Sequence, residues 1–254
     1  MRLPDMPTTT IVVPCFNEAE RLPVERFRLF FKEESDIGFV FVDDGSSDST
    51  HQVLQDLAEG HEAQCEVLRL SENQGKAEAV RQGINRAIST QTEVVGFWDA
   101  DLATPLETIV PMRLVLTRDP EVLAVFGSRI RMLGRNIERD PIRHYAGRVF
   151  ATVVSSMLQI PIYDSQCGAK LFRVSSPTQD LFAERFVSQW IFDVEILARL
   201  RQFLGAEQWT NAGELIKEYP LETWHDVSGS KVKSADFVRS FADLSKIYQR
   251  YIAT

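Results

Sequence analysis

Cysteine is scarce in this chain: Cys15, Cys65 and Cys167 stand far apart among 254 residues, with no Cys-x-x-Cys pair. So sparse and odd a set excludes a disulfide framework and reads as three small core residues, reduced, in a cytosolic protein. Long apolar runs are missing too. The opening MRLPDMPTTTIVVPCF lacks the apolar stretch of roughly 7–15 residues that marks a signal peptide. Nothing approaches the roughly 20 apolar residues that a membrane-spanning helix needs. Positive charge is in deficit: 28 Lys and Arg against 36 Asp and Glu give a net charge of −8. That speaks against nucleic acid as a partner through overall charge, although a local basic patch stays open. Several phosphate-binding and nucleophile motifs are absent. Gly75-Lys76 sits in NQGKAEAVRQG, which is neither Gly-x-Gly-x-x-Gly nor a P-loop, and no Gly-x-Ser-x-Gly elbow occurs. His51, His61, His144 and His225 show no metal-ligand spacing and read as surface or packing residues. No repeat, low-complexity tract or Gly/Ser linker divides the chain.

What is present is an alternation. TIVVPCF (10–16), IGFVFVDD (37–44), CEVLRL (65–70), EVVGFW (93–98) and VLAVFG (122–127) are short apolar runs that read as buried strands. Between them lie segments with apolar residues at helical spacing: 18–34 with Leu22, Phe27, Phe30 and Phe31; a helix after Asp48 or Ser49 as its cap; 73–88 with Ala77, Val80, Ile84 and Ile88; and 104–116. The last opens with Thr104 as cap and Pro105 at the first helical position, and Pro111 predicts a kink or break. Strand–helix alternation with continuous apolar strands predicts an α/β fold, a mostly parallel central sheet with helices on both faces.

In such sheets ligands sit at the carboxyl ends of the strands. Asp43-Asp44-Gly45 ends the second strand, and Asp99-Ala100-Asp101 ends the fourth. Four acids on one rim repel one another unless a cation or hydrogen-bond donors bind them. Asp99 and Asp101 suit a hard divalent ion, Mg²⁺ or Mn²⁺, that completes its shell with water and a diphosphate. The plainer alternative is two solvated loop acids, one of them capping the next helix. Asp43 or Asp44 can accept hydrogen bonds from a base edge or ribose, or the run is simply a tight turn.

TIVVPCFNEAERL, FVFVDDGSSDST, NQGKAEAVRQGI and FWDADLATP resemble, in order and spacing, the nucleotide-sugar half of inverting family 2 glycosyltransferases with the GT-A fold. FGSRI (126–130), YDSQCGAKLFR (163–173), WIFDVEIL (190–197) and SGSKVK (228–233) resemble the polyprenyl-phosphate branch, above all dolichyl-phosphate β-glucosyltransferases and, more distantly, dolichyl-phosphate mannose synthases. The resemblance implies a Rossmann-like nucleotide-binding half (9–130), an acceptor and catalytic half (131–235) and a C-terminal amphipathic helix (236–254) in one GT-A domain. It implies that Pro14, Glu18, Asp43 and Asp44 frame base and ribose, with Lys76 in the donor-binding set. Asp99 would lie near ribose and metal, and Asp101 would bind the ion. Arg129 would reach the phosphates or the acceptor, and Asp164 would stand near the reacting sugar. Trp190 and Asp193 would shape the sugar pocket, and Ser230 and Lys231 would close over the diphosphate.

The implied reaction moves a hexose, glucose favoured, from a UDP-glucose or GDP-mannose type donor to a polyprenyl or dolichyl phosphate with inversion. A divalent ion and cationic side chains would stabilise the leaving diphosphate. A phosphate acceptor is already anionic, so a strong base matters less; with a hydroxyl acceptor Asp164 becomes the base candidate. Transfer to a soluble hydroxyl, or nucleotide-sugar binding without turnover, are the alternatives. RHYAGRVFATVVSSML (143–158) places Tyr145, Val149, Phe150, Val153, Val154, Met157 and Leu158 on one stripe; 235–252 does the same with Phe237, Val238, Phe241, Leu244, Tyr248, Tyr251 and Ile252. Both helices suit a peripheral contact on the cytoplasmic membrane face, or else a core-facing or homodimer-facing position.

Overall fold

The computed structural model describes residues 7–226 and 234–253. In its first half β1 (Thr9–Cys15), β2 (Ile37–Asp43), β3 (Cys65–Arg69), β4 (Val94–Trp98) and β5 (Ala124–Ser128) alternate with α1 (Val24–Glu33), α2 (Thr50–Ala58), α3 (Lys76–Ile88) and α4 (Ile109–Arg118). Then follow β6 (Asn136–Glu138), α5 (Pro141–Leu158), β7 (Ala169–Arg173), α6 (Ser176–Ala183), α7 (Phe192–Trp209), α8 (Ala212–Leu215), β8 (Ile216–Pro220), β9 (Thr223–His225) and α9 (Ser234–Tyr251). One sheet of seven strands has the order β3-β2-β1-β4-β7-β5-β8. Its pairings are parallel except at β7, which runs antiparallel to both β4 and β5. β6 and β9 form a separate parallel pair.

Successive strand residues point to opposite faces, and here they feed two apolar layers. Val12, Val40, Val42, Val95, Phe97 and Phe126 pack with Val80 and Ile84 of α3, Val154 of α5 and Phe192 of α7. Ile11, Val13, Phe39, Phe41, Trp98 and Val125 pack with Phe27 and Phe31 of α1, Leu54 of α2 and Met112 of α4. Phe27 meets Phe41 edge-on at 5.0 Å. Burying one such ring stabilises the fold by roughly 1.5–3 kcal/mol. The three cysteines are buried and free, as expected.

Local boundaries differ from the expectation where backbone chemistry overrides periodicity. Residues 18–23 are not helical: Asn17 takes a positive φ of 51°, and α1 starts only after Pro23. A residue before proline is pushed out of the helical region, so the helix cannot begin earlier without strain. Ser49 does occupy the position before α2, while the Asp48 carboxylate accepts the Thr50 N–H at 2.9 Å. Thr104 caps nothing; its carbonyl accepts the Trp98 indole N–H at 2.8 Å. The break expected at Pro111 falls before it, as a 3-10 turn at Leu106–Thr108, so that Pro111 lies in the first turn of α4 where its missing N–H costs little.

The stripe expected on α5 splits in two. Phe150, Val154 and Leu158 are buried in the core, whereas Tyr145, Val149 and Val153 are 71%, 58% and 39% exposed. Each set repeats every four residues, so each forms its own ridge, and only one fits under the sheet. In α9, Leu244 and Ile247 are buried while Phe241 and Tyr248 stay partly exposed, at 38% and 46%. Among the described residues no helix is long and apolar enough to cross a membrane.

Candidate active site

β1, β2 and β4 all end on one rim. Cys15 is level with Asp43, and the turn after β4 brings Asp99 to Asp101 alongside them. The turns that follow, with Trp190 from the segment before α7, enclose a cleft of about 410 Å³. Pro14, Glu18, Asp44, Lys76, Asp99, Asp101 and Trp190 line it, together with Arg21 and Gln189. Seven residues assigned from sequence to the donor, its sugar or the metal thus share one concavity.

Asp44 is fixed by the turn before α3. Its two oxygens accept the N–H groups of Gln74 at 2.8 Å and Gly75 at 2.9 Å, and Gly75 reaches this position with a φ of 91°. Burial nonetheless pushes the Asp44 carboxyl above its ordinary range. Asp43 lies apart from the cleft. It is fully buried, its Oδ1 accepts the Ser46 N–H at 2.9 Å, and its Oδ2 faces His51 Nδ1 and Arg69 Nε, each at 3.4 Å. It shapes the turn that carries Asp44. The Glu18 N–H donates to Thr50 Oγ1 at 2.8 Å, and its carboxylate lies 3.6 Å from Arg21.

Asp99 rests on Gly168. A Cβ there would come within 1.9 Å of Asp99 Oδ2, and the Asp99 N–H donates to the Gly168 carbonyl at 3.1 Å. Lys76 donates to Asp99 Oδ1. Desolvation in the cleft works against the Lys76 ammonium, but the carboxylates of Asp99, Asp193 and Asp101 hold it above the usual lysine range. Asp101 accepts the Ala103 N–H at 3.1 Å and lies 3.9 Å from Arg21. Burial, then the charge of Asp99, pushes the Asp101 carboxyl up. Two hard-oxygen donors that repel each other fit a divalent ion. Among the described residues no group of three or more His, Cys, Asp or Glu side chains is arranged to hold a metal, so the rest of the shell would come from substrate and water.

Arg129 and Asp164 stand outside the lining of the cleft, joined to Asp99 through the 164–168 segment. Arg129 Nε and Nη2 donate to Asp164 at 2.6 and 2.8 Å, and the Arg129 backbone N–H donates at 3.1 Å. Burial alone would raise the Asp164 carboxyl, but the charge and hydrogen bonds of Arg129 hold it well below the usual carboxylate range. Glu218 on β8 accepts the N–H groups of Tyr163 and Asp164, both at 2.8 Å, and so braces this segment. Trp224 of β9 carries Arg129 at 5.3 Å and Arg139 at 5.8 Å from its ring centre. Arg131 donates to the Arg139 carbonyl at 2.6 Å. Burial, then repulsion from Arg129, lowers the Arg139 guanidinium below its usual range.

Trp190 is 37% exposed and faces the cleft. Asp193 is buried in the first turn of α7 and pairs with the fully buried Lys170 at 2.6 Å, so its charge is already matched. Ser230 and Lys231 lie outside the described residues.

The model of glycosyl transferase family 2 matches residues 10–177. The chain belongs to glycosyl transferase family 2. It is a hexosyltransferase with the GT-A fold. Curated relatives include a dolichyl-phosphate beta-glucosyltransferase of Trichomonas vaginalis, 30% identical over 94% of this chain and 70% of that protein. The one from Saccharomyces cerevisiae is also 30% identical, over 96% of this chain and 75% of its own length. Among solved structures, glucosyl-3-phosphoglycerate synthase from Mycobacterium tuberculosis with Mn²⁺, UDP and glucosyl-3-phosphoglycerate shares the fold at a TM-score of 0.66. It is 15% identical and covers 96% of this chain and 80% of that one. A divalent ion therefore has precedent in this family's fold.

Sequence reasoning missed Arg21, Gly168, Glu218, Arg139 and Trp224. Gly168 was within reach, because a glycine before a buried strand often marks close approach of another group. The pairing of Arg139 with Trp224 joins residues 85 positions apart and carries no local signal.

Proposed function

We propose that this enzyme transfers glucose from UDP-glucose to a dolichyl or related polyprenyl phosphate, with inversion at the anomeric carbon. The observation that carries the donor half is the convergence of Asp44, Asp99, Asp101 and Lys76 on one cleft of nucleotide-sugar size. Asp99 and Asp101 would hold Mg²⁺ or Mn²⁺, which when bound neutralises charge on the leaving diphosphate. Asp44 and Glu18 would orient base and ribose, and Trp190 would bound the sugar. The acceptor half rests on Arg129 and Arg139 over Trp224, with Arg131 bonded to the Arg139 carbonyl. Three guanidinium groups there outnumber the carboxylates of Asp164 and of Glu218 behind it, which suits an anionic phosphate. A phosphate oxygen attacks the anomeric carbon as the bond to the diphosphate breaks. That oxygen carries no proton to remove, so Asp164, held ionised by Arg129, serves to orient the guanidinium. The exposed ridge of Tyr145, Val149 and Val153 supports a contact with the membrane that carries such a lipid.

The test is a transfer assay with Mn²⁺ and dolichyl phosphate, comparing UDP-glucose with GDP-mannose. Formation of a glucosyl lipid from UDP-glucose, abolished in Asp101→Ala, is the expected result. Transfer only to a soluble hydroxyl acceptor, or full activity in Asp101→Ala, overturns the acceptor or the metal assignment respectively.

A further inference from the structure

One ion pair in the cleft is built for exchange. Asp99 is wedged: its carboxylate lies against Gly168, where even a methyl group would not fit, and its N–H is bound to the Gly168 carbonyl. Its backbone is thereby tied to the entry of β7, and its carboxylate sits on a short side chain beside Gly168. Its partner has the longer reach. Lys76 stands at the first position of α3 and reaches Asp99 Oδ1 at the end of a flexible four-carbon stem, with 36% of its side chain exposed. Asp101 adds a second carboxylate within electrostatic reach of the same ammonium. The other acid near it, Asp193, is already paired with Lys170.

We propose that Lys76 is the resident counter-ion of the Asp99–Asp101 pair, exchanged for a divalent ion when the donor binds and transferred to the donor's diphosphate. This rests on the metal and donor reading above and adds an order of events to it. The divalent ion and the ammonium compete for the same Asp99 oxygen, so the ion by itself binds against the lysine's charge. A diphosphate offers the ammonium new anionic oxygens, so nucleotide eases the ion's binding. By reciprocity the ion eases the nucleotide's binding by the same factor. The ammonium thereby ends on the group that accumulates negative charge as the glycosidic bond breaks.

The experiment measures Mn²⁺ binding by electron spin resonance of the free ion, with and without UDP, in the wild type, Lys76→Met, Lys76→Arg and Asp101→Ala. Without UDP, Lys76→Met should bind Mn²⁺ on the order of tenfold more tightly than the wild type, as expected for removing one nearby positive charge at an intermediate dielectric. Its affinity for UDP at saturating Mn²⁺ should fall, and so should the enhancement of either ligand by the other. Lys76→Arg keeps the charge and should keep the weak binding of the ion alone, which separates loss of charge from a disturbed fold. Mn²⁺ affinity without UDP that is unchanged or weaker in Lys76→Met overturns the counter-ion role. If Asp101→Ala abolishes Mn²⁺ binding in the presence of UDP while Lys76→Met matches the wild type, the metal site stands and only the lysine's part fails. Mn²⁺ binding indifferent to Asp101 removes both.

Discussion

Arg129 and Asp164 are locked edge to edge: both oxygens of the carboxylate accept guanidinium N–H groups, at 2.6 and 2.8 Å, inside the protein. A carboxylate so satisfied is a weak base and a firm handle on the arginine. Removing one partner leaves the other charge buried and unmatched, which costs about 3–5 kcal/mol. Asp164→Ala should lower the unfolding free energy by that amount in urea, and a loss below about 1 kcal/mol would show that the pair is solvated.

The same pair sets a dependence of stability on pH. Arg129 depresses the Asp164 carboxyl in the folded state relative to the unfolded chain. A depressed carboxyl contributes stability that is fully present above the unfolded value, about 4, and is lost as pH falls from there toward the folded value. The stability difference between the wild type and Asp164→Asn should therefore be constant from pH 6 to 8 and shrink below about pH 4. The pH–rate profile between pH 5 and 9 should show no ionisation that Asp164→Asn removes.

Gly168→Ala tests the wedge under Asp99. The new methyl group would overlap the Asp99 carboxylate, so that carboxylate must leave its place. The expected result is loss of the thermal stabilisation that UDP with Mn²⁺ gives the wild type, to the level of Asp99→Ala. A ligand-induced shift equal to the wild type's would mean that Asp99 has room to spare.

Arg139→Ala addresses the acceptor. Losing one guanidinium beside Trp224 should raise KM for dolichyl phosphate about tenfold, the scale of one charge-assisted hydrogen bond. KM for UDP-glucose should stay within twofold, because Arg139 does not line the donor cleft. Equal losses for both substrates would place this arginine elsewhere in the cycle.

The thiols give a simpler check. Burial pushes Cys65 up to about 12 and Cys167 up to about 11. Native protein at pH 8 should leave both unmodified by a disulfide reagent over minutes, and both should react once the chain is unfolded.

The first half of the fold was legible because its strands are short apolar runs, with Asp closing β2 and following β4, and its helices carry Phe27, Val80 or Ile84 at helical spacing. Asp44, Asp99 and Asp101 could be placed on one rim because a parallel sheet puts strand ends together. What resisted reading depended on contacts between distant segments. Periodicity marked α5 as apolar along a broad arc, but which ridge goes inward depends on what packs over it. Asp193 carried no sign of Lys170, 23 positions away, which matches its charge. The support of Asp99 by Gly168 and of Asp164 by Glu218 likewise arises only once the sheet is assembled.

The reversed direction of β7 decides which segments meet at the site. Trp98, the last residue of β4, pairs with Ala169, the first residue of β7. The chain leaves one strand and enters its neighbour at the same edge, so the residues leading into β7 face those leading out of β4. Had β7 run with its neighbours, the stretch from Asp164 to Gly168 would open on the opposite edge, roughly 16 Å away across five residues of strand. A single inverted strand thus lets the Asp99–Asp101 turn and the Asp164–Gly168 segment, encoded on either side of the chain's midpoint, be built back to back.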